Sequence, residues 1–348
     1  MPQIKTAILS FGLSGKVFHA PFIHLHNGFE LAGAWERSKK KIQEVYPGVQ
    51  SYPSLESILA DDSIQLVVVN TPTNSHFEYA KAALLAGKDI IVEKAFTTTV
   101  SEAEELKTIA EKKGLKIAVF QNRRWDSDFK TVQKIKQSGV LGDIVEAELR
   151  FERYKPAIGP KQHKENAGPG AGLLNDLGPH LIDQALALFG KPQSLQASLR
   201  AIRENSQVDD WFDVSLQYKN IRVRLKSSLI AAEQLPGFVL HGTKGSFTKS
   251  RADVQEPNLL AGMAPNLTDW GTEPEEESGF LTTEKDGKLV KEKIKTEQGN
   301  YYYYYDAVYK AITENKPMPV TCDDGINVMK IIEAARKSDG TKSQFISI

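Results

Sequence analysis

The sequence predicts an α/β fold: an N-terminal parallel sheet flanked by helices, then an α+β domain with an open, largely antiparallel sheet. Three observations carry this. Over the first 120 residues short apolar runs alternate with amphipathic stretches, the rhythm of right-handed βαβ units. Beyond residue 122 strand-like runs follow one another without helices between them, which points to antiparallel pairing. The chain has 348 residues, long for a single core, so two domains are expected, 1–122 and 123–348.

In order, the N-terminal strand candidates are Ile4–Leu9, Phe29–Trp35, Gln65–Asn70, Asp89–Val92 and Lys116–Phe120. The helices between them have readable ends. Ser75-x-x-Glu78 and Ser101-x-x-Glu104 have the spacing of capping boxes, and Gly87 and Gly114 stand where those helices stop. Ala103, Leu106, Ile109 and Ala110 share one face of the second. Pro21 falls inside the first helix, where it predicts either a kink or a segment, 16–22, folded over the crevice. Further on, Phe129–Ser138 reads as a helix and Asp143–Arg153 as a strand. The glycine-rich loop "NAGPGAG" (166–172) precedes the amphipathic "GPHLIDQALALFG", with Pro179 near its start and Gly190 as its stop. Ser194–Ile202, Trp211–Gln217, Ile221–Ser227 and Gly237–Leu240 read as strands, and 251–292 as long polar loops. Tyr302–Thr313 and Asp323–Ser338 read as closing helices. Of the five tyrosines at 301–305, Tyr302 and Tyr305 share a face with Tyr309 and are expected to pack in the core.

Composition narrows the function. Lys plus Arg equals Asp plus Glu, 44 each, so no charge excess points to nucleic acid or an anionic membrane. Cys322 is the single cysteine, which excludes an intramolecular disulfide and a Cys-rich zinc site. No charged-then-apolar leader and no membrane-length apolar run is present, so the expected setting is the cytoplasm. The scattered histidines and carboxylates lack metal spacing, and a metal-free site is expected.

The chemistry begins at "SFGLSG", residues 10–15. A dinucleotide-binding turn wants G-x-G-x-x-G after a strand; here Ser10 stands at the first position, and Gly12 and Gly15 keep the second and third. Leu13 and Ser14 fill the turn between them. Glu36 ends the next strand, at about the 20-residue spacing of the acid that holds a ribose. This context makes the first domain Rossmann-type. Glu36 argues for NAD; Arg37 and Ser38, suited to a 2′-phosphate, argue for NADP. "NTPTNSH" (70–76), "VEKAF" (92–96) and "QNRRWD" (121–126) all follow strands, where open α/β sheets place their ligands. In "NDLGPHLID" Asp176 and His180 are four apart. They fit either an acid and a proton acceptor or a helix cap and a packing residue.

With these segments in this order, the chain resembles the Gfo/Idh/MocA oxidoreductases over essentially its whole length. The resemblance rests on the S-x-G-x-x-G turn, "TPTNSH", "GKDIIVEKAF" and "LLNDLGPHLID". "FGLSGKVFHAPF" and "VFQNRRWDSDF" look most like the branch with NADP-dependent scyllo-inositol dehydrogenases. The resemblance implies hydride transfer between NAD or NADP and a secondary alcohol of a polyol or sugar. Lys94 matches the lysine between nicotinamide and substrate, Asp176 the orienting acid and His180 the general base. Thr71, Pro72, Asn74, His76 and Glu93 match the cofactor-lining stretch; Arg123, Trp125, Arg153 and Tyr154 fall where the branch lines its substrate pocket. Ala95 replaces the usual proline after the lysine, so a trans peptide or local strain is expected there. A glycosidase that borrows bound NAD and a non-enzymatic dinucleotide sensor share the fold as alternatives. The open sheet and the resemblance together imply a homodimer or homotetramer.

Overall fold

The computed structural model describes residues 3–36 and 40–348. The chain forms two units. The first holds the residues up to Asn122 together with Gln255–Trp270 and Asn300–Ile326; the second holds Arg123–Val254, Gly271–Gly299 and Asn327–Ile348.

The first unit is built on six parallel strands: β1 (Ile4–Ile8), β2 (Phe29–Trp35), β3 (Gln50–Tyr52), β4 (Leu66–Val69), β5 (Asp89–Glu93) and β6 (Ile117–Phe120), in the order β3-β2-β1-β4-β5-β6. β4 and β6 are buried along their whole length, as continuous Leu/Ile/Val/Ala/Phe runs between two helical layers should be. β3 escapes the sequence reading because three residues are too few to show a period. The helix caps differ in detail from expectation. Thr99, not Ser101, caps Val100–Lys113, through a reciprocal capping box with Glu102, and Gly114 ends it in the left-handed region at φ 66°. Ser75 makes no capping bond; its hydroxyl donates to Pro72 O and Thr71 Oγ1 because a short 3₁₀ turn precedes the helix His76–Leu85. Pro21 does not sit inside a continuous helix. A π-turn over Gly15–His19 runs into a new helix, Ala20–Leu25, with the proline in its first turn, where a missing N–H costs nothing.

The helix Tyr302–Thr313 belongs to this unit; Tyr305 is in the core as expected, but the buried face is rotated away from Tyr302 and Tyr309. Tyr301, Tyr304 and Tyr305 are the fully buried rings, against Phe22 and Phe120, while Tyr302 and Tyr309 are half-buried.

The second unit carries nine strands: β7 (Ile144–Arg150), β8 (Ser194–Arg200), β9 (Trp211–Gln217), β10 (Arg222–Ser228), β11 (Phe238–Gly242), β12 (Gly245–Lys249), β13 (Gly279–Lys285), β14 (Lys288–Ile294) and β15 (Ile346–Ser347). Their order is β14-β13-β12-β11-β7-β10-β9-β8-β15. Every neighbouring pair is antiparallel except β7 with β10. β9 alternates buried and half-buried residues along its length, the mark of a sheet covered on one face. β13 and β14 lie in and beyond the stretch read as loops. Asp286 and Gly287, both at positive φ, close this hairpin, the two-residue turn that suits right-twisted strands. Its charged, unburied β14 forms the sheet edge, where lysine and glutamate guard against further pairing and erase the apolar signal.

Candidate functional site

Within the first unit the strand order reverses between β1 and β4, and open α/β sheets bind ligands beyond the strand ends at that point. A cavity of about 610 Å³ lies there, walled by Ser10, Gly12, Glu36, Thr71, Pro72 and Asn74, among others. Ser10 occupies its turn without strain: its Oγ accepts the Gly12 N–H at 3.1 Å and its carbonyl accepts Asn70 Nδ2 at 2.7 Å. Gly15 has no freedom. A Cβ there would lie 2.0 Å from the Ser10 carbonyl oxygen, so strand and helix meet this closely only at glycine. Two glycines, a tight turn and an open cavity fit a dinucleotide. Leu13 is exposed beside the turn. Arg37 and Ser38 lie outside the described residues.

Glu36 is already in use. Its carboxylate accepts the N–H groups of Lys41 (3.0 Å) and Ile42 (3.2 Å) and the Ser51 hydroxyl (3.3 Å), and it anchors the short helix Lys41–Val45 while lining the cavity.

Behind the turn is a buried polar network. Glu93 accepts a short hydrogen bond from the Ser14 hydroxyl and lies 3.1 Å from His19 Nε2; its second oxygen accepts the Lys94 N–H at 3.1 Å. His19 Nδ1 meets the Tyr305 hydroxyl at 2.7 Å, which in turn donates to the Phe18 carbonyl. Burial works to raise the Glu93 pKa. The hydrogen bonds of His19 and Ser14 and the charges of His19 and Lys94 outweigh it and hold the carboxyl at about 2. Lys94 thus leaves the end of β5 from a fixed base. The Lys94–Ala95 bond is cis, against the trans expectation. The Ala95 carbonyl lies 2.8 Å from His76 Nδ1, and His76 Nε2 lies 2.8 Å from the Thr71 carbonyl. His76 therefore clamps backbone at this site and does not line the cavity.

In the second unit Asp176 ends a single turn, Leu173–Asp176, and accepts Lys164 Nζ at 2.5 Å; the helix Gly178–Phe189 that follows has no side-chain cap. The cap reading of Asp176 is thereby set aside. His180 is buried, with its ring 6.3 Å from that of Phe151. One turn on, Asp183 binds Arg124 through both nitrogens at 2.7 and 2.8 Å, and Gln184 donates to the Arg123 carbonyl at 3.2 Å. Arg123 and Arg153 both stack on Phe151. Trp125 ends a 3₁₀ turn. Tyr154 is exposed and bridges Ile230.

Two family models cover most of the chain. Residues 4–121 match the oxidoreductase family's NAD-binding Rossmann fold and residues 133–346 its C-terminal alpha/beta domain. The chain belongs to the Gfo/Idh/MocA oxidoreductase family. Among its relatives, the scyllo-inositol 2-dehydrogenase (NADP(+)) IolW of Bacillus subtilis is 37% identical over 97% of this chain and 94% of its own. An uncharacterised oxidoreductase of Schizosaccharomyces pombe, C115.03, is 42% identical over 99% of both chains. The solved structure of the Bacillus subtilis oxidoreductase yvaA superposes with a TM-score of 0.95 at 36% identity, covering 99% of this chain and 98% of that one. As a Gfo/Idh/MocA member the protein is an oxidoreductase that uses NAD or NADP. Among the described residues no helix is long and apolar enough to cross a membrane, and no cluster of His, Cys, Asp or Glu is arranged to hold a metal ion.

Several residues of these two networks have no local signal in the sequence. His19 and Tyr305 are 286 positions apart, and only the tyrosine run hinted at the second. Arg251 lies in a polar stretch, yet it is half-buried, with its guanidinium over Phe151 and Phe238 at 4.7 and 4.4 Å. Gln184 was legible only as one more residue of an amphipathic helix.

Proposed function

We propose that the protein is an NAD(P)-dependent dehydrogenase acting on a CH–OH group of a polyol or sugar. The observation that carries this reading is the Ser14–Glu93–Lys94 link. The side chain that belongs to the dinucleotide turn holds the carboxylate that holds the backbone of Lys94. When bound at the cavity of the first unit, NAD or NADP supplies the hydride acceptor. Gly12, Gly15, Thr71, Pro72 and Asn74 provide its cradle, with Glu36 as the acid at the end of β2. The Lys94 ammonium donates to the oxygen of the reacting alcohol and stabilises its developing negative charge. His180 takes the hydroxyl proton on its imidazole, and Asp176 accepts a neighbouring hydroxyl and orients the ring. Arg123, Trp125, Arg153 and Tyr154 complete the substrate side. The uncovered face of the nine-stranded sheet, with Trp211, Arg222 and Arg224 beside its open groove, is the surface on which a second copy would pack to give a homodimer or homotetramer.

A panel of inositols, aldoses and their derivatives, read by nicotinamide absorbance with each cofactor, tests the reading. Net cofactor reduction coupled to alcohol loss is expected. Hydrolysis of glycosides without net reduction would overturn it.

A further inference from the structure

We infer that the substrate carries an oxyanion, a carboxylate or a phosphate, received by the guanidinium groups of Arg153, Arg251 and Arg123. This rests on the assignment of His180 to the reacting hydroxyl. The three guanidinium carbons surround a single ring, Phe151, at 5.1, 4.7 and 4.9 Å from its centre. On the same ring's periphery lies His180, 6.3 Å between centroids.

The cluster is short of negative partners. Arg153 makes no ion pair among the described residues. Arg251 has only neutral bonding partners: its Nε donates to the Arg150 carbonyl and its Nη2 to Gln184 Oε1 at 2.8 Å. Arg123 alone has a carboxylate, Asp126 at 3.3 Å. Of the nearby acids, Asp183 pairs with Arg124 and Glu152 with Arg150, while Asp128 and Asp126 act on the Arg251 charge without bonding it. Burial, joined by repulsion from Arg123, pulls the Arg251 guanidinium down to about 10 even with Asp128 and Asp126 close by. Like charges held together in a low-dielectric place repel, and an incoming anion relieves that repulsion.

Position makes the cluster a recognition site. Gln184, one turn beyond His180 on the same helix, fixes both the Arg123 backbone and the Arg251 head. Phe151, Arg153 and Arg251 line a cavity of about 620 Å³, whose wall also carries Glu152, held by Arg150, and Glu276 and Glu277, the last accepting the Ser250 hydroxyl. A neutral polyol offers hydroxyls, which need acceptors as well as donors. Arginine offers donors alone, in a planar fork that matches a carboxylate or phosphate.

The test compares kcat/KM for a neutral hexose, its uronic acid and its 6-phosphate, in the wild type and in R153Q and R153K. Arg153 is chosen because its replacement orphans no buried group. One of the two anions should exceed the neutral sugar by about 10-fold or more, the scale of charge-assisted hydrogen bonds. R153Q should collapse that ratio, and R153K should restore part of it. The arm that wins distinguishes carboxylate from phosphate. A neutral sugar equal to or better than both anions, or a preference that survives R153Q, overturns the inference while leaving the dehydrogenase reading intact. If no sugar reduces the cofactor, that reading fails, and calorimetry on the whole protein decides the inference alone. Saturable binding of either anion that R153Q abolishes sustains it, and absence of binding refutes it.

Discussion

The cavity of the first unit and the arginine cluster of the second recognise by different means. The first is shaped largely by backbone: a turn closed by Ser10 Oγ, a strand and helix touching at Gly15, and short side chains at the ends of β1 and β4. The second is shaped by the long side chains of Arg123, Arg153 and Arg251 stacked on the Phe151 ring, with Gln184 bonded to the Arg251 head. Backbone sites are intolerant of added volume. Side-chain sites tolerate volume but not lost charge or lost hydrogen bonds.

The contrast can be broken at the point where chemistry depends on charge alone. Lys94→Met should lower kcat by about 100-fold or more, the scale of losing one preorganised donor to a developing oxyanion, with cofactor affinity retained. Turnover at the wild-type rate removes Lys94 from the mechanism. Next in size is volume: Gly15→Ala places a Cβ 2.0 Å from backbone and should cost about 3 kcal/mol by denaturant titration. Gly48→Ala, with nothing within 4 Å, is the control.

Glu93 gives a pH signature of similar size. Its folded pKa of about 2 lies below the ordinary carboxylate value of 4.5, so its stabilisation is complete above that value and fades as pH falls toward 2. Such a shift is worth on the order of 3 kcal/mol. Urea midpoints of wild type and Glu93→Gln should differ near neutrality and converge in acid; parallel curves would contradict the ionised-carboxylate network.

In the second unit, Gln184→Leu takes the acceptor from Arg251 and should destabilise by about 1–3 kcal/mol. A melting temperature unchanged from wild type would show that the helix does not hold the cluster. The smallest effect expected is at Glu36. Removing a carboxylate from the cavity in Glu36→Ala should raise the NADP-to-NAD ratio of kcat/KM by about 10-fold, the scale of one charge–phosphate contact. Steady-state kinetics with both cofactors measures it.

The two regions also differ in how far they could be read in advance. Gly12, Gly15 and Glu36 stand at spacings set by one strand-turn-helix-strand unit, so their joint placement follows from local geometry. Thr71 and Asn74 follow because strand ends share one side of a parallel sheet. The cis bond at Lys94–Ala95 was missed because the usual marker, proline, is absent. Of the tyrosines expected in the core, Tyr305 is there and Tyr302 and Tyr309 are not fully buried, because helical phase alone does not say which stripe meets Phe22 and Phe120. Arg251 and Gln184 were invisible because each is polar, and what a polar residue packs against depends on partners far along the chain; the β13–β14 hairpin was invisible because its charged, exposed edge strand shows no apolar alternation. The Asp286-Gly287 pair was the one local clue to the hairpin.

The return of Asn300–Ile326 to the first unit bears on how the protein is made. Tyr301, Tyr304 and Tyr305 fill the space beside Phe22 and Phe120, Tyr305 completes the His19 network, and the Val320 carbonyl accepts the Val119 N–H. A nascent chain emerging from the ribosome therefore cannot finish the cofactor-binding half first. That half waits, with an aromatic cleft uncovered, until Asn300–Ile326 has also been synthesised.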